Sequence, residues 1–282
     1  MKLATFDDGA GARVGLVTGE SLIDLAKAAP GLPASMIGLI AAWESARSAV
    51  EAASGPAVPL SAVRLLAPVP KPGKILAIGL NYADHIAESG QATPEHQLWF
   101  AKLPNSAHAP FAPIELPRAS HFVDYEAEMV AIVGKGGRHI AKEDAASRIF
   151  GYCVGNDVTA RDWQFKTPQW TLGKSFDTHA PFGPYIVTAD EVGDPHALRM
   201  RAIVNGETRQ DSNTKHLVFN VFDQIAHLSE AITLDPGDVI FTGTPGGVGV
   251  AMKPPQALKE GDVVRIEIDR LGAIEAKMQR EA

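Results

Sequence analysis

Apolar and polar positions along this chain fall into short runs separated by turn residues, and their period changes from region to region. Residues 1–55 hold three strand-like pieces, MKLATF, RVGLVT and SLIDL, followed by an alanine-rich stretch at 35–53 whose apolar positions recur at helical spacing. Pro56, Pro59, Pro68, Pro70 and Pro72 punctuate residues 54–73, so that piece reads as an extended connection. KILAIGLNY then restarts the chain as a buried strand. From residue 75 onward strand patterns dominate, in EAEMVAIVG, FGYCVGNDVT, GPYIVTA, RMRAIVNGE, DVIFTGT and DVVRIEID, and helical spacing returns only at 83–88, 142–148 and 218–231. Strands at this density, without regular alternation with helices, predict an α+β fold in which β-sheets pack or roll together. The same pattern divides the chain into a small α+β N-terminal domain with its linker at 1–70 and a larger, strand-rich domain at 71–282.

Composition narrows the partners. The 282 residues are 45% hydrophobic and 21% charged, enough to bury a large core. The net charge of -7 and the absence of any run of Lys or Arg offer no field for a phosphate backbone, so nucleic acid is not an expected partner. No stretch nears the roughly 20 apolar residues of a membrane span; the longest, at 36–42, stops at Trp43 and Glu44. Asp7, Asp8 and Arg13 interrupt the first residues too early for a signal-peptide core. Cys153, the single cysteine, excludes an intramolecular disulfide and a thiolate zinc cluster. Together these features lead to the expectation of a cytoplasmic protein. Cys153 itself, inside IFGYCVG, reads as a small buried hydrophobe.

The most informative string is VDYEAEMVAIV. Glu126 and Glu128 are two residues apart in a strand pattern and therefore share a face, which Val130 and Ile132 continue. Two carboxylates on an apolar face repel each other and lose hydration unless a cation or a shared proton compensates. An E-x-E pair alone is also what the solvated face of an edge strand looks like. Asp157 adds a third acid, at the end of the apolar run GYCVGND. Hard oxygen ligands of this kind suit Mg²⁺, Mn²⁺ or Ca²⁺, and three carboxylates leave coordination positions open for water or a chelating substrate.

KILAIGLNYADHIAE, DYEAEMVAIVGKGGRHI, GYCVGNDVTARDWQ, GKSFDTHAPFGPYIV and DVIFTGTPGGVG, in this order, resemble the fumarylacetoacetate hydrolase family from about residue 74 to the C-terminus. The resemblance implies a mixed β-sandwich roll, a divalent metal (Mg²⁺ or Mn²⁺, with Ca²⁺ as a further candidate) on Glu126, Glu128 and Asp157, and a homodimer. It implies a catalytic His85 and Glu88 pair, whose three-residue spacing lets the carboxylate orient the imidazole, and an active-site Lys174. It also implies substrate contacts from Arg161, Gln164 and Thr244 and places Lys102 at the family's lysine position before them. His96, Trp99 and His108 have no counterpart in the pattern; they shape a pocket or simply pack. The glycine run TGTPGGVG lacks the G-K-[ST] ending of a phosphate loop, which disfavours nucleotide binding.

These residues lead to the expectation of a hydrolase cleaving a C–C bond in an acylpyruvate, a 2,4-dioxo acid such as fumarylpyruvate or maleylpyruvate. In this reading His85 activates water and the metal acts as Lewis acid. The same enolate site also supports an alternative, decarboxylation of oxaloacetate or isomerisation of a 2-hydroxydienedioate, and a second, hydrolysis of a 2,4-dioxo-3-deoxy sugar acid. In each case the partner is a small 2-oxo acid.

Overall fold

The computed structural model describes residues 1–90 and 92–282. Two β-sheets carry the fold. In the larger, the strands run in the order Ala57–Pro59, Ser21–Asp24, Arg13–Thr18, Lys2–Asp7, Ala180–Thr188, Ile149–Asn156, Ala127–Val133, Val239–Phe241, Ile75–Gly79 and Leu98–Lys102. The smaller has the order Glu207–Asn213, Arg199–Val204, Val263–Ile268, Gly272–Arg280 and Ile114–Leu116. Large mixed sheets with few helices are the α+β architecture expected from the pattern.

Every residue of the central strands Ala127–Val133 and Ile149–Asn156 is buried, because both faces of the large sheet are covered. Ala127, Met129, Ala131 and Val133 point toward the second sheet and pack in one core with Ala202, Val264, Ile266 and Ile274. Val130 and Ile132 point the other way, into a core with Phe182, Ile186, Phe241 and the apolar stripe of the first helices. This is the period-two alternation expected of VDYEAEMVAIV.

The helical stretch expected at 35–53 is two helices, Met36–Ala41 and Trp43–Glu51. Ser35 caps the first through its side chain and the chain re-aims at Ala42. The stretch at 218–231 starts later, as Val221–Ala231, because Asn220 accepts hydrogen bonds from Phe222 N and Asp223 N and fixes the first turn. That at 142–148 is Lys142–Ala145 continued by a 3₁₀ turn, Ala146–Arg148.

The division expected at residue 70 is not a break in the sheet. Lys2 and Leu3 pair with Val187 and Ile186, and Leu3, Val14, Leu39 and Val50 share a core with Ile75 and Val130. A smaller cluster of Ala4, Phe6, Val17, Leu22 and Leu65 belongs almost wholly to the N-terminal strands. Among the described residues no helix is long and apolar enough to cross a membrane.

Candidate active site

Four central strands deliver chemistry to one end of the large sheet. Ala127–Val133 starts there, just after Glu126, and antiparallel Ile149–Asn156 ends there, just before Asp157. Val239–Phe241 also ends there and runs on into Gly243 and Thr244, while its parallel neighbour Ile75–Gly79 runs on into His85. Backbone and amide hydrogen bonds fix the corner: Asp157 N donates to Glu126 O at 2.9 Å, and Glu126 N donates to Asn156 Oδ1 at 3.0 Å.

Glu126, Glu128 and Asp157 are all buried, with one oxygen from each within 4.8 Å of the others. Lys174 Nζ lies 2.6 Å from both Glu126 Oε2 and Asp157 Oδ2, and Lys102 Nζ lies 2.6 Å from Asp157 Oδ1. Arg161 lies 2.7 Å from Glu126 and 2.9 Å from Asp124. Asp124 is fully buried and also accepts N–H bonds from Tyr125, Gly249 and Val250. Four buried carboxylates thus face three buried cations, with one negative charge in excess.

The excess rests on Glu128. Its carboxylate accepts a 2.7 Å bond from Gly243 N and, among the described residues, has no cationic side chain at ion-pair distance. Burial, and then the charges of Asp157 and Glu126, push its pKa well above the usual carboxylate range. Glu126 moves the opposite way: burial would raise it, but Lys174 and Arg161 outweigh burial and hold it below its usual value. For Lys174, burial opposes the charge and the carboxylates of Asp157 and Glu126 overcome it. Three clustered acids, one of them without a cationic partner, fit a hard divalent cation, which would favour the charged form of Glu128.

Glu126, Glu128, Arg161, Gln164, Lys174, Thr244 and His85 all line one cavity of about 40 Å³. Ile78, Leu80, Phe100 and Trp170 complete its wall. Thr244 Oγ1 accepts from Gln210 Nε2 at 2.9 Å, and Gln164 Oε1 accepts from Arg161 at 3.1 Å. His85 sits on the short helix Ala83–Ser89, with Nδ1 3.5 Å from Glu88 Oε2, an ion-pair distance longer than a formed hydrogen bond. Both Glu88 oxygens lie 3.0 Å from Gly247 N, and Asp84 Oδ2 accepts from Ser212 Oγ, so the helix is clasped from two sides. Burial would raise the Glu88 pKa; His85 and the Gly247 N–H outweigh it and hold the carboxyl below its usual value.

Lys102 is the exception among the expected substrate contacts. It does not line the cavity; its ammonium is spent on Asp157 and the Val158 carbonyl, which makes it a support for an acid. Trp99 and His108 are also outside the lining: Trp99 packs on the core with Nε1–H donating to Gln97, and His108 Nε2 lies 2.9 Å from Pro113 O. His96 is exposed and contributes nothing to the cavity. Sequence reasoning passed over Asp124, although D-x-E-x-E continues the alternation by one more step. It also missed Gln210, Phe100 and Trp170, which carry no signal in the sequence.

The buried acids at this sheet end, beside His85 and a charged cavity, form a set of hard oxygen donors that could hold a divalent metal. The chain belongs to the fumarylacetoacetate hydrolase family: the fumarylacetoacetate (FAA) hydrolase C-terminal domain matches residues 74–279. It is 45% identical over 260 residues to the mitochondrial oxaloacetate tautomerase Fahd2a of Rattus norvegicus, covering 91% of this chain and 83% of that one. It is also 45% identical over 283 residues to the mitochondrial oxaloacetate tautomerase fahd2 of Xenopus laevis, covering 97% and 89%. Among solved structures, maleylpyruvate hydrolase from Sphingobium sp. SYK-6, in complex with manganese(II) and pyruvate, superposes with a TM-score of 0.85 at 35% identity over the whole of both chains.

Two expectations change. The similar relatives are named oxaloacetate tautomerase and a solved neighbour maleylpyruvate hydrolase, which favours the alternative, oxaloacetate chemistry on the same site, over the main expectation of acylpyruvate hydrolysis. The cytoplasmic assignment is overturned, because these similar relatives are named as mitochondrial. The physical reason is that a lone cysteine reports a reducing compartment, and more than one compartment is reducing.

Proposed function

We propose that this protein catalyses keto–enol interconversion of a small 2-oxo dicarboxylate of the oxaloacetate type. The observation that carries the reading is the single cavity lined by His85 together with Glu126, Glu128 and the cations Arg161 and Lys174. The 45% identity to proteins named oxaloacetate tautomerase supports the choice of substrate.

Glu126, Glu128 and Asp157 would hold the cation, which supplies a Lewis acid that polarises the 2-oxo group and makes the C3 protons acidic. His85 removes a C3 proton, the C–H electron pair becomes the C2=C3 π bond as the C2=O π pair moves onto the oxygen, and the imidazolium delivers the proton to that oxygen. Glu88 faces His85 Nδ1 at 3.5 Å, close enough to orient the imidazole. The Lys174 ammonium faces the negative charge that develops on oxygen, while Gln164 and Thr244 orient the substrate carboxylates. Arg161 is already engaged by Asp124 and Glu126, so it contributes its charge and holds a ligand in place. Lys102 plays the same part for Asp157.

Hydrolysis of an acylpyruvate is the second reading. It rests on the same His85 and Glu88 pair and on the likeness to maleylpyruvate hydrolase. The two separate in one assay, the decay of enol-oxaloacetate followed by ultraviolet absorbance with Mg²⁺ or Mn²⁺, beside pyruvate release from maleylpyruvate. Tautomerisation predicts enol decay at least ~100-fold faster than in metal-containing buffer, the usual contribution of a positioned acid–base group. Decay at the buffer rate together with rapid pyruvate release would replace this reading by hydrolysis.

A further inference from the structure

The cavity, about 40 Å³ where one water needs roughly 10–15 Å³ on the same measure, has room for only a few water molecules, so a dicarboxylic acid fits only if part of the wall yields. Most of the wall is pinned. Its charged floor is cross-linked by the ion pairs of Lys174 and Arg161 with Glu126 and Asp157. Thr244 is held by Gln210, itself buried and bonded to Ala127 N and Pro245 O. Ile78 and Phe100 stand on paired strands, and the Lys174 ammonium rests 4.9 Å from the Phe100 ring centre. His85 has to stay at the reacting carbon for proton transfer. Of the two large apolar side chains left, Leu80 follows directly on the paired strand Ile75–Gly79, whereas Trp170 stands at the start of a short turn outside the sheets.

Trp170 is attached in an asymmetric way. Its indole edge lies against the backbone of Gly79, so closely that a Cβ built there would come within 2.5 Å of it, and it meets Phe100 edge-on with ring centres 5.5 Å apart. Its carbonyl accepts from Lys174 N, at the start of the turn Thr171–Lys174. That turn is docked: a Cβ on Gly173 would lie 2.4 Å from Gln164 N. On its other side the chain is loosely held, with residues 165–169 all exposed and Phe165 65% accessible. Trp170 therefore separates the apolar side of the cavity from an exposed loop, while the turn behind it keeps Lys174 in place.

We propose that Trp170 is the specificity-determining wall of this site, limiting the chain length of the 2-oxo acid by closing the cavity against Gly79 and Phe100. The inference rests on the reading of the cavity as a 2-oxo acid site. The carboxylate and 2-oxo oxygens lie at the charged floor, so the rest of the molecule extends toward the apolar wall, and each added methylene must displace the indole. Gly79 belongs to the same device, because any side chain there would push the indole out of its seat.

Titration calorimetry on the Mn²⁺-loaded protein with oxalate and with N-hexyloxamate tests this without turnover. The two ligands share the chelating end and differ in the tail. Trp170→Ala is expected to tighten N-hexyloxamate by roughly tenfold or more, the scale on which apolar pockets discriminate by size, with oxalate affinity unchanged and Trp170→Phe falling between. Equal shifts for both ligands, or no gain for N-hexyloxamate, in a variant with a wild-type melting curve would overturn the proposal. If Trp170→Ala fails to fold, Trp170→Phe and Trp170→Leu are compared by the same affinity ratio, and the same two outcomes support or overturn the wall. Absence of oxaloacetate turnover with this pattern of binding intact removes the tautomerase reading and leaves the wall in place. Absence of oxalate binding in the wild type removes both.

Discussion

Glu128 is the residue whose environment is least balanced by the protein itself. Its folded pKa is raised, so above the ordinary glutamate value the unfolded chain binds fewer protons than the native one. Stability of the metal-free protein must then fall as pH rises from roughly 5 toward the folded value. In Glu128→Gln this slope should flatten, and melting temperatures collected across that range would show it; parallel curves for variant and wild type would mean that the buried charge is compensated. His85 makes a different kind of contribution. His85→Ala is expected to lower kcat by about 10² to 10⁴ while leaving Mn²⁺ affinity alone, because the histidine lines the cavity without touching the acids by any ion pair. Such residues are legible only in part: the E-x-E spacing and the third acid at a strand end follow from local pattern, whereas the histidine–glutamate pair stands out only through the family resemblance. Gln210 was not, because a glutamine on an otherwise polar strand, ETRQDSN, looks the same in sequence whether it faces water or a buried Thr244.

Among the elements, the loop after Val239–Phe241 matters most for the site. Within a few residues Gly243 N serves Glu128, Thr244 lines the cavity, Gly247 N holds Glu88, and Gly249 N holds Asp124. Gly247 has φ +99° and a Cβ there would stand 2.0 Å from the Arg209 carbonyl. Gly247→Ala should therefore cost more than about 1 kcal/mol of stability and, by freeing Glu88, lower kcat more than it changes KM. A melting temperature and KM both equal to wild type, with full kcat, would show that this loop does not hold the catalytic helix. Element types were readable from periodicity. Their breaks were less so, as at Ala42, where one alanine-rich stretch becomes two helices. The turn Thr171–Lys174 was invisible for the opposite reason: four residues give no period, and its position depends on Gly173 packing against Gln164.

For the whole molecule, the large sheet joins the two regions that the proline-rich stretch at 54–73 separates in sequence. Leu3, Leu39 and Val50 cover the same apolar face as Val130, Phe182 and Ile186. We propose that residues 1–70 serve as a structural cover for that face, with the chemistry carried by the remainder. A chain lacking residues 1–70 is then expected to be insoluble or to bind a hydrophobic dye strongly; a soluble, cooperatively melting and active 71–282 fragment would show an independent catalytic domain. Fold class was legible because strand density is a property of the whole sequence, whereas the seam between the two regions depends on pairs such as Leu3 with Ile186, 183 residues apart. Compartment was not legible at all, since nothing in net charge or a single cysteine distinguishes one reducing space from another. All the chemistry described rests on the three buried acids binding a cation. Calorimetric titration of Mn²⁺ into the wild type, Glu128→Gln and Asp157→Asn reads this directly: one site per chain is expected in the wild type, weakened by roughly 10-fold to 100-fold or more in each variant. Mn²⁺ binding of equal affinity in all three proteins would contradict a metal site at Glu126, Glu128 and Asp157.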